Sequence, residues 1–184
     1  MCAGDSCDPG AHGETTIIDA TPPLPDATAA GGLSARWPAV VAWADDLARR
    51  VAADQPNEHV AVFVADAAAG GLRLAAQVWG AGDDTGAVVV GEWIVPFDGS
   101  VTGRVHRTGA AVLCADVGLD PDYRAFPGGR TRSFLTVPVG PPGDVVAVLN
   151  VEAPWPSAFS IRDYERLVEQ AGAAFATFPT AKVA

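Results

Sequence analysis

Apolar residues recur along the chain with two different spacings, and these spacings predict the order of the secondary-structure elements. A spacing of three and four residues predicts helices over 34–54 and 160–178, and a glycine-bounded stretch predicts a shorter helix over 99–108. Alternating or continuous apolar runs predict six strands, at 59–66, 72–79, 88–97, 111–117, 133–139 and 145–152. This order, with a helix at each end, predicts an α+β fold with a mainly antiparallel sheet.

The same pattern predicts how the layers are arranged. The two long helices at the ends are expected to pack on one face of the sheet. The helix over 99–108 and the loop over 118–132 are expected to cover the other face, where a ligand pocket would lie. Strict alternation along the second strand places Leu72 and Leu74 on one face and Trp79 on the other. Trp43 falls outside the apolar face of the first helix, and it is expected either to be partly buried or to contact the tail or a dimer partner.

Composition and charge narrow the classes of function. The 184 residues carry 12 Lys and Arg against 22 Asp and Glu, a formal net charge of −10, which argues against nucleic-acid binding. We expect a domain over 34–179, a flexible acidic, proline- and glycine-rich tail over 1–33, and a short tail over 180–184. No apolar run is long enough for a transmembrane helix and no secretory signal is recognisable, so a cytoplasmic location is expected.

The most specific motifs lie between Phe97 and Glu152. They are the glycine-bounded helix in FDGSVTGRVHRTG, the Asp-Pro-Asp-Tyr loop at 120–123, and an apolar strand that ends in Leu-Asn-Val-Glu at 149–152. Together they resemble a stand-alone bacterial GAF domain, and the resemblance covers residues 34–178. It implies a GAF-like α+β fold with about six strands, terminal helices on one face and a covered ligand pocket on the other. It also implies a sensory role in signal transduction, without catalysis and without a cofactor.

Candidate ligand-binding residues are arginines, aromatic residues, and polar residues on the strands. Five of the twelve basic residues lie between Arg104 and Arg132, which suits an anionic group, unless they pair with nearby aspartates. Asn150 and Glu152 share a strand face, and a buried amide or carboxylate there needs a partner in the protein or in a ligand. A small anionic or polar-aromatic metabolite is therefore expected. The candidates are Trp79, Trp93, Phe97, Arg104, Asp116, Tyr123, Phe126, Arg130, Arg132, Ser133, Thr136, Asn150 and Glu152.

The chain departs from the specialised members of the GAF family. Free methionine-(R)-sulfoxide reductases work with cysteines in the covering helix and loop, whereas this chain has Thr102 in the helix and no cysteine over 125–132. The lysine of the cyclic-nucleotide signature is replaced by Val151, and Cys114 is not followed by the histidine common in bilin-binding domains. His106 is expected to be solvated rather than to bind haem.

Two alternatives to a sensory domain stay open. One is a thiol-dependent reductase related to methionine-sulfoxide reduction that uses Cys114. The other is a ligand-free interaction module that forms a homodimer through the helices 35–53 and 161–178. Cys2, Cys7 and His12 are soft metal ligands, but their spacing favours a simple tail over a zinc site. A sensor without an attached output domain would also need a signalling protein as its partner.

Overall fold

The protein has an antiparallel sheet of six strands in the order β3-β2-β1-β6-β5-β4. The structure is a computed structural model and describes residues 33–54, 59–80, 89–126 and 129–180. The strands within these ranges are β1 His59–Asp66, β2 Gly71–Val78, β3 Ile94–Pro96, β4 Val112–Cys114, β5 Ser133–Val139 and β6 Ala147–Ala153. The helices are α1 Leu33–Asp54, α2 Val101–Thr108 and α3 Ile161–Phe175. The predicted α+β class and the helix positions are confirmed.

The two long helices pack together on one face of the sheet, as predicted. Leu47 of α1 and Leu167 of α3 are buried in one apolar cluster with Leu149 of β6. Trp43 belongs to this cluster and is only 8% exposed, so its predicted position outside the apolar face of α1 is wrong. Its indole Nε1 donates to the Ala174 carbonyl at 3.2 Å. Helix α1 contacts α3 as well as the sheet. Its buried face is therefore wider than contact with the sheet alone would require.

Helix α2 and the loop that follows β4 cover the opposite face of the sheet. The helix begins at the cap Ser100, whose side chain accepts from the Gly103 N–H, and it ends at Gly109 in the left-handed conformation, with φ 65°. Both features follow from the sequence, because serine is a preferred N-cap and glycine adopts positive φ without strain. Val101 and Val105 point into a second apolar cluster that includes Phe63 and Phe134 of the sheet. The helix that was predicted to cover this second face of the sheet is thus present.

A β-bulge in β2 corrects the predicted alternation. Val62 pairs with Ala76 and Phe63 pairs with Leu74, so Ala75 is left without a partner across the ladder. One extra residue reverses which face the following side chains occupy. Trp79 therefore packs with Leu72 and Leu74 on the α2 side of the sheet rather than on the face opposite to them.

Two strands are shorter than predicted. Within the described part of the run predicted over 88–97, a strand forms only at Ile94–Pro96, because a turn precedes it in which Gly91 has φ 89°. The run predicted over 111–117 pairs only at Val112–Cys114, after which Asp116 caps a short 3-10 turn. In both cases a local turn, formed by glycine or aspartate, limits the strand to part of the apolar run.

No helix within the described ranges is long and apolar enough to cross a membrane. The predicted tail over 1–33 lies outside the described residues except for Leu33, which begins α1. The predicted C-terminal tail also lies outside them, except for Thr180.

Candidate functional site

A small cavity lies between the sheet and the cover formed by α2 and the loop that follows β4. Its volume is about 20 Å³, which is room for a single water molecule. Six of the predicted site residues line it: Trp93, Tyr123, Phe126, Thr136, Asn150 and Glu152. Seven further described residues also line it: Phe63, Val95, Ser100, Val101, Thr102, Arg124 and Phe134.

A chain of hydrogen-bonded polar side chains forms the sheet side of this cavity. The register of β5 and β6 places Thr136 opposite Asn150. Thr136 Oγ1 donates to Asn150 Oδ1 at 2.6 Å, and Asn150 Nδ2 donates to Glu152 Oε1 at 2.8 Å. Thr131 Oγ1 donates to Glu152 Oε2 at 2.7 Å. The Glu152 side chain, 4% exposed, is therefore held in one orientation by donors on both oxygens.

His59 contacts the same carboxylate and was not recognised from the sequence as a site residue. The register of β1 and β6 places His59 opposite Glu152, with Nδ1 at 3.4 Å from Oε2. The imidazole ring is stacked on Trp79, with ring centroids 3.7 Å apart. Its Nε2 is buried without a hydrogen-bond partner. The register that joins these residues is a long-range feature, so no local motif could have found this pair.

Phe126 is surrounded by four other rings. Its ring is stacked on Trp93 at 5.8 Å and tilted against Phe63 at 6.0 Å. It meets His59 edge-on at 4.7 Å and Trp79 edge-on at 6.3 Å. The aromatic side chains that were expected to surround a ligand therefore surround Phe126, a residue of the covering loop.

Tyr123 presents a buried hydroxyl to the cavity. Its ring is stacked on Phe134 at 5.6 Å. The hydroxyl makes no hydrogen bond of good geometry, although Thr131 lies beside it. Burial, and then the negative charge of Glu152, raise the pKa of this phenol. Tyr123 is thus neutral at physiological pH and can both donate and accept a hydrogen bond.

The arginines of the covering segment are mostly paired with aspartates. Arg104 forms salt bridges with Asp120 and Asp122, and so ties the loop to α2. Arg132 contacts Asp116 at 3.1 Å, the pairing that the sequence left open as an alternative to an anion site. The bond from Gly118 N–H, and then Arg132, hold the pKa of Asp116 below its ordinary value.

Several predicted site residues lie outside the lining of the cavity. Ser133 is on the α1 and α3 side of the sheet, where its hydroxyl donates to the Trp155 carbonyl at 2.8 Å. Trp79 reaches the site only through its contacts with His59 and Phe126. The remaining residues outside the lining are Phe97, Arg104, Asp116, Arg130 and Arg132.

Two other reactive side chains, one in α2 and one in β4, are buried. His106 was expected to be solvated, and this is wrong: it is a buried residue of α2 that packs against the Phe97 ring at 5.0 Å. Desolvation, and to a smaller extent Arg107, lower its pKa. Cys114 Sγ contacts the Asp116 carbonyl at 3.1 Å, and burial raises the pKa of the thiol.

Among the described residues there is no group of three or more His, Cys, Asp or Glu placed to hold a metal ion. The prediction for Cys2, Cys7 and His12 lies outside those residues.

Comparison with known proteins identifies the fold. No protein-family model matches the sequence, and no curated protein matches it. The structure is similar to the GAF domain of a phosphoenolpyruvate-protein phosphotransferase from Coxiella burnetii, with 22% identity over 82% of this chain and 84% of that chain, and a TM-score of 0.59. The chain thus has the GAF fold that its motifs suggested.

The similar structures also include enzymes. A free methionine-R-sulfoxide reductase from Neisseria meningitidis, solved with its substrate, has 24% identity over 78% of this chain and 84% of that chain, with a TM-score of 0.61. A type II free methionine-R-sulfoxide reductase from Thermoplasma acidophilum has 19% identity over 76% and 92%, with a TM-score of 0.60. The fold is therefore shared by a GAF domain of a larger protein and by reductases, so the fold alone does not distinguish between these roles.

Proposed function

We propose that this GAF-fold domain is a sensor that binds a small polar-aromatic molecule between the sheet and its cover. The observation that carries the proposal is the buried pair of Asn150 and Glu152 beside an aromatic wall. Burying a carboxylate costs free energy that hydrogen bonds or an opposite charge have to offset, and a few placed polar groups among apolar ones are typical of a ligand site. Glu152 lines the cavity, and no lysine or arginine within the described ranges forms a salt bridge with it.

The polar lining favours a ligand that donates hydrogen bonds. Asn150 and Thr131 donate to the Glu152 carboxylate, and His59 Nδ1 lies 3.4 Å from Oε2. Because a carboxylate only accepts hydrogen bonds, an amine or hydroxyl of a ligand can bind where Thr131 donates once the cover opens. Arg124 is the one arginine of the lining, and its Nε is bonded to the Gly99 carbonyl at 2.8 Å. The polar-aromatic part of the sequence-based expectation is thus better supported than the anionic part.

Binding requires the cavity to enlarge. Pockets for small organic ligands measure roughly 300 Å³ or more, compared with the 20 Å³ seen between sheet and cover. A ligand would therefore select a more open arrangement of the cover. We propose that this change is the signal, and that a cytoplasmic partner protein reads it.

Thiol catalysis is the alternative that the similar reductases suggest. A thiolate is the reactive form of cysteine, and the pKa of Cys114 is raised by burial. Thr102 lines the cavity from α2, at the helix position where the resemblance implies a cysteine in the reductases. We therefore propose a role without thiol catalysis. Turnover of free methionine sulfoxide with a thiol reductant that is lost in Cys114→Ser would contradict this.

A homodimer through the terminal helices stays a prediction. Ile161, 63% exposed, and Val168 are exposed apolar side chains of α3 and support an interaction through this helix. Sedimentation over a wide range of concentration tests it. A monomer throughout would leave the ligand-free dimerisation module without support.

A screen of small metabolites by thermal stabilisation tests the proposed function. A ligand at about 100 times its Kd stabilises the folded protein by about 2.7 kcal/mol. The stabilisation should be lost in Glu152→Gln and kept in Asp98→Asn, because Asp98 carries an almost fully exposed carboxylate. A ligand that stabilises both variants equally binds elsewhere and would refute the proposed site.

A further inference from the structure

We infer that the side chain of Phe126 occupies the place of the ligand's aromatic group, so that the ligand carries a planar aromatic ring system with a hydrogen-bond-donating substituent. This inference rests on the proposed function and names the class of its ligand. It is carried by the surroundings of Phe126 and by the size of the remaining cavity.

The position of Phe126 is built for a flat ring. The Trp93 ring covers one side at an interplanar angle of 20°, and His59 and Trp79 present themselves at 89° and 80°. Offset-stacked and edge-to-face contacts are the favoured arrangements of aromatic pairs. A second aromatic ring would restore these contacts after Phe126 leaves, whereas an aliphatic group would fill the space without them.

Phe126 belongs to the covering loop, not to a strand or helix. The loop is fastened before this residue by Arg124, which donates to the Gly99 carbonyl at 2.8 Å. It is fastened after it by the Arg132 N–H, which donates to the Ala153 carbonyl at 2.7 Å. Phe126 can therefore be displaced while the loop on both sides keeps its attachment to the body of the domain.

The polar end of the ligand follows from the same geometry. The space left by Phe126 would join the existing cavity, whose lining includes Glu152 and Tyr123. A donor group at Glu152 competes with Thr131, which donates to Oε2 from the same loop. A ring with an amine or hydroxyl would thus replace two contacts of the loop at once, those of Phe126 and Thr131. That couples occupancy of the site to displacement of Phe126 and Thr131, while the attachments at Arg124 and Arg132 are kept.

Three probes separate the contributions of the ring and of the charge. Tryptamine carries an aromatic ring and a cation, indole-3-acetate the same ring and an anion, and 2-cyclohexylethylamine the cation without aromaticity. Their affinities would be measured by titration calorimetry on the parent, on Phe126→Ala and on Phe126→Leu. The Leu variant keeps much of the packing in case the Ala variant does not fold, and Phe178→Ala is a control far from the site.

We expect tryptamine to bind Phe126→Ala at least about tenfold more tightly than the parent, because removing the competing ring raises the fraction of binding-competent protein. Phe126→Leu should fall between them, and Phe178→Ala should match the parent. Indole-3-acetate and 2-cyclohexylethylamine should bind Phe126→Ala more weakly than tryptamine does.

Equal affinity of tryptamine for the parent and both Phe126 variants, or no binding to folded Phe126→Ala, would overturn the inference. If 2-cyclohexylethylamine binds as tightly as tryptamine and Glu152→Gln abolishes both, the proposed site stands and the aromatic class is wrong. If Glu152→Gln changes the affinity of no probe that binds, the proposed function itself fails.

Discussion

Replacing Gly103 by alanine should destabilise the protein, because α2 approaches the preceding segment closely at this position. A Cβ atom on Gly103 would lie 2.0 Å from the Phe97 carbonyl oxygen and 2.7 Å from that of Pro96. Both atoms belong to the backbone, so α2 would have to move away from them. Overpacking of this kind costs about 1–3 kcal/mol, and sometimes more. For a protein of this size we expect the melting temperature to fall by roughly 3–10 °C.

Gly172→Ala is the matched control with the opposite expected sign. Gly172 lies in α3 and a Cβ there would have no neighbour within 4 Å. Alanine in a helix is favoured over glycine by about 0.5–1 kcal/mol. Thermal unfolding and urea titration of both variants should therefore give changes in opposite directions. Gly103→Ala should also weaken ligand binding, because α2 carries Val101 and Thr102 of the cavity lining. A Gly103→Ala protein as stable as the parent would refute the close packing of α2 described above.

Three further predictions concern single side chains. Thr136→Val removes the donor to Asn150 and should cost about 1–3 kcal/mol in a urea titration, because a buried acceptor loses its partner. Ser160→Ala removes the capping box with Asp163 and should cost about 1 kcal/mol by the same measurement; no change would mean that water replaces the cap. The pKa of His106 is lowered in the folded protein. The stability that comes from its neutral form is therefore fully present above the ordinary histidine pKa of 6.5. This stabilisation is lost as the pH falls below 6.5 towards the folded-state pKa, so the loss of stability between about pH 7.5 and about pH 5.5 should be smaller in His106→Gln; an equal loss would contradict the assignment.

The parts of the fold that depend on local chemistry could be predicted from the sequence. Ser100 and Gly109 cap α2 as their residue types indicate, and apolar spacing located α1 and α3. The motif ending in Asn150 and Glu152 pointed to residues that do line the cavity. Propensity, capping and periodicity act within a few residues, so they can be recognised in a single sequence.

The parts that depend on long-range packing could not be predicted. The bulge at Ala75 reverses the faces of β2 without a glycine or proline to mark it. The pair of His59 and Glu152 exists only through the register of β1 and β6. Arg104 carried a charge that suited either a ligand or a neighbouring aspartate, and the choice depended on where the covering loop folds back on α2.

Native mass spectrometry of the protein after incubation with a bacterial metabolite extract tests the central claim most directly, because it detects an unknown small ligand without choosing one. We predict a reproducible additional mass on the parent, matching an aromatic molecule with an amine or hydroxyl group, that is absent from Glu152→Gln and retained by Asp98→Asn. The same additional mass at equal occupancy on Glu152→Gln, or no additional mass on any of the three proteins, would contradict a ligand site at Asn150 and Glu152.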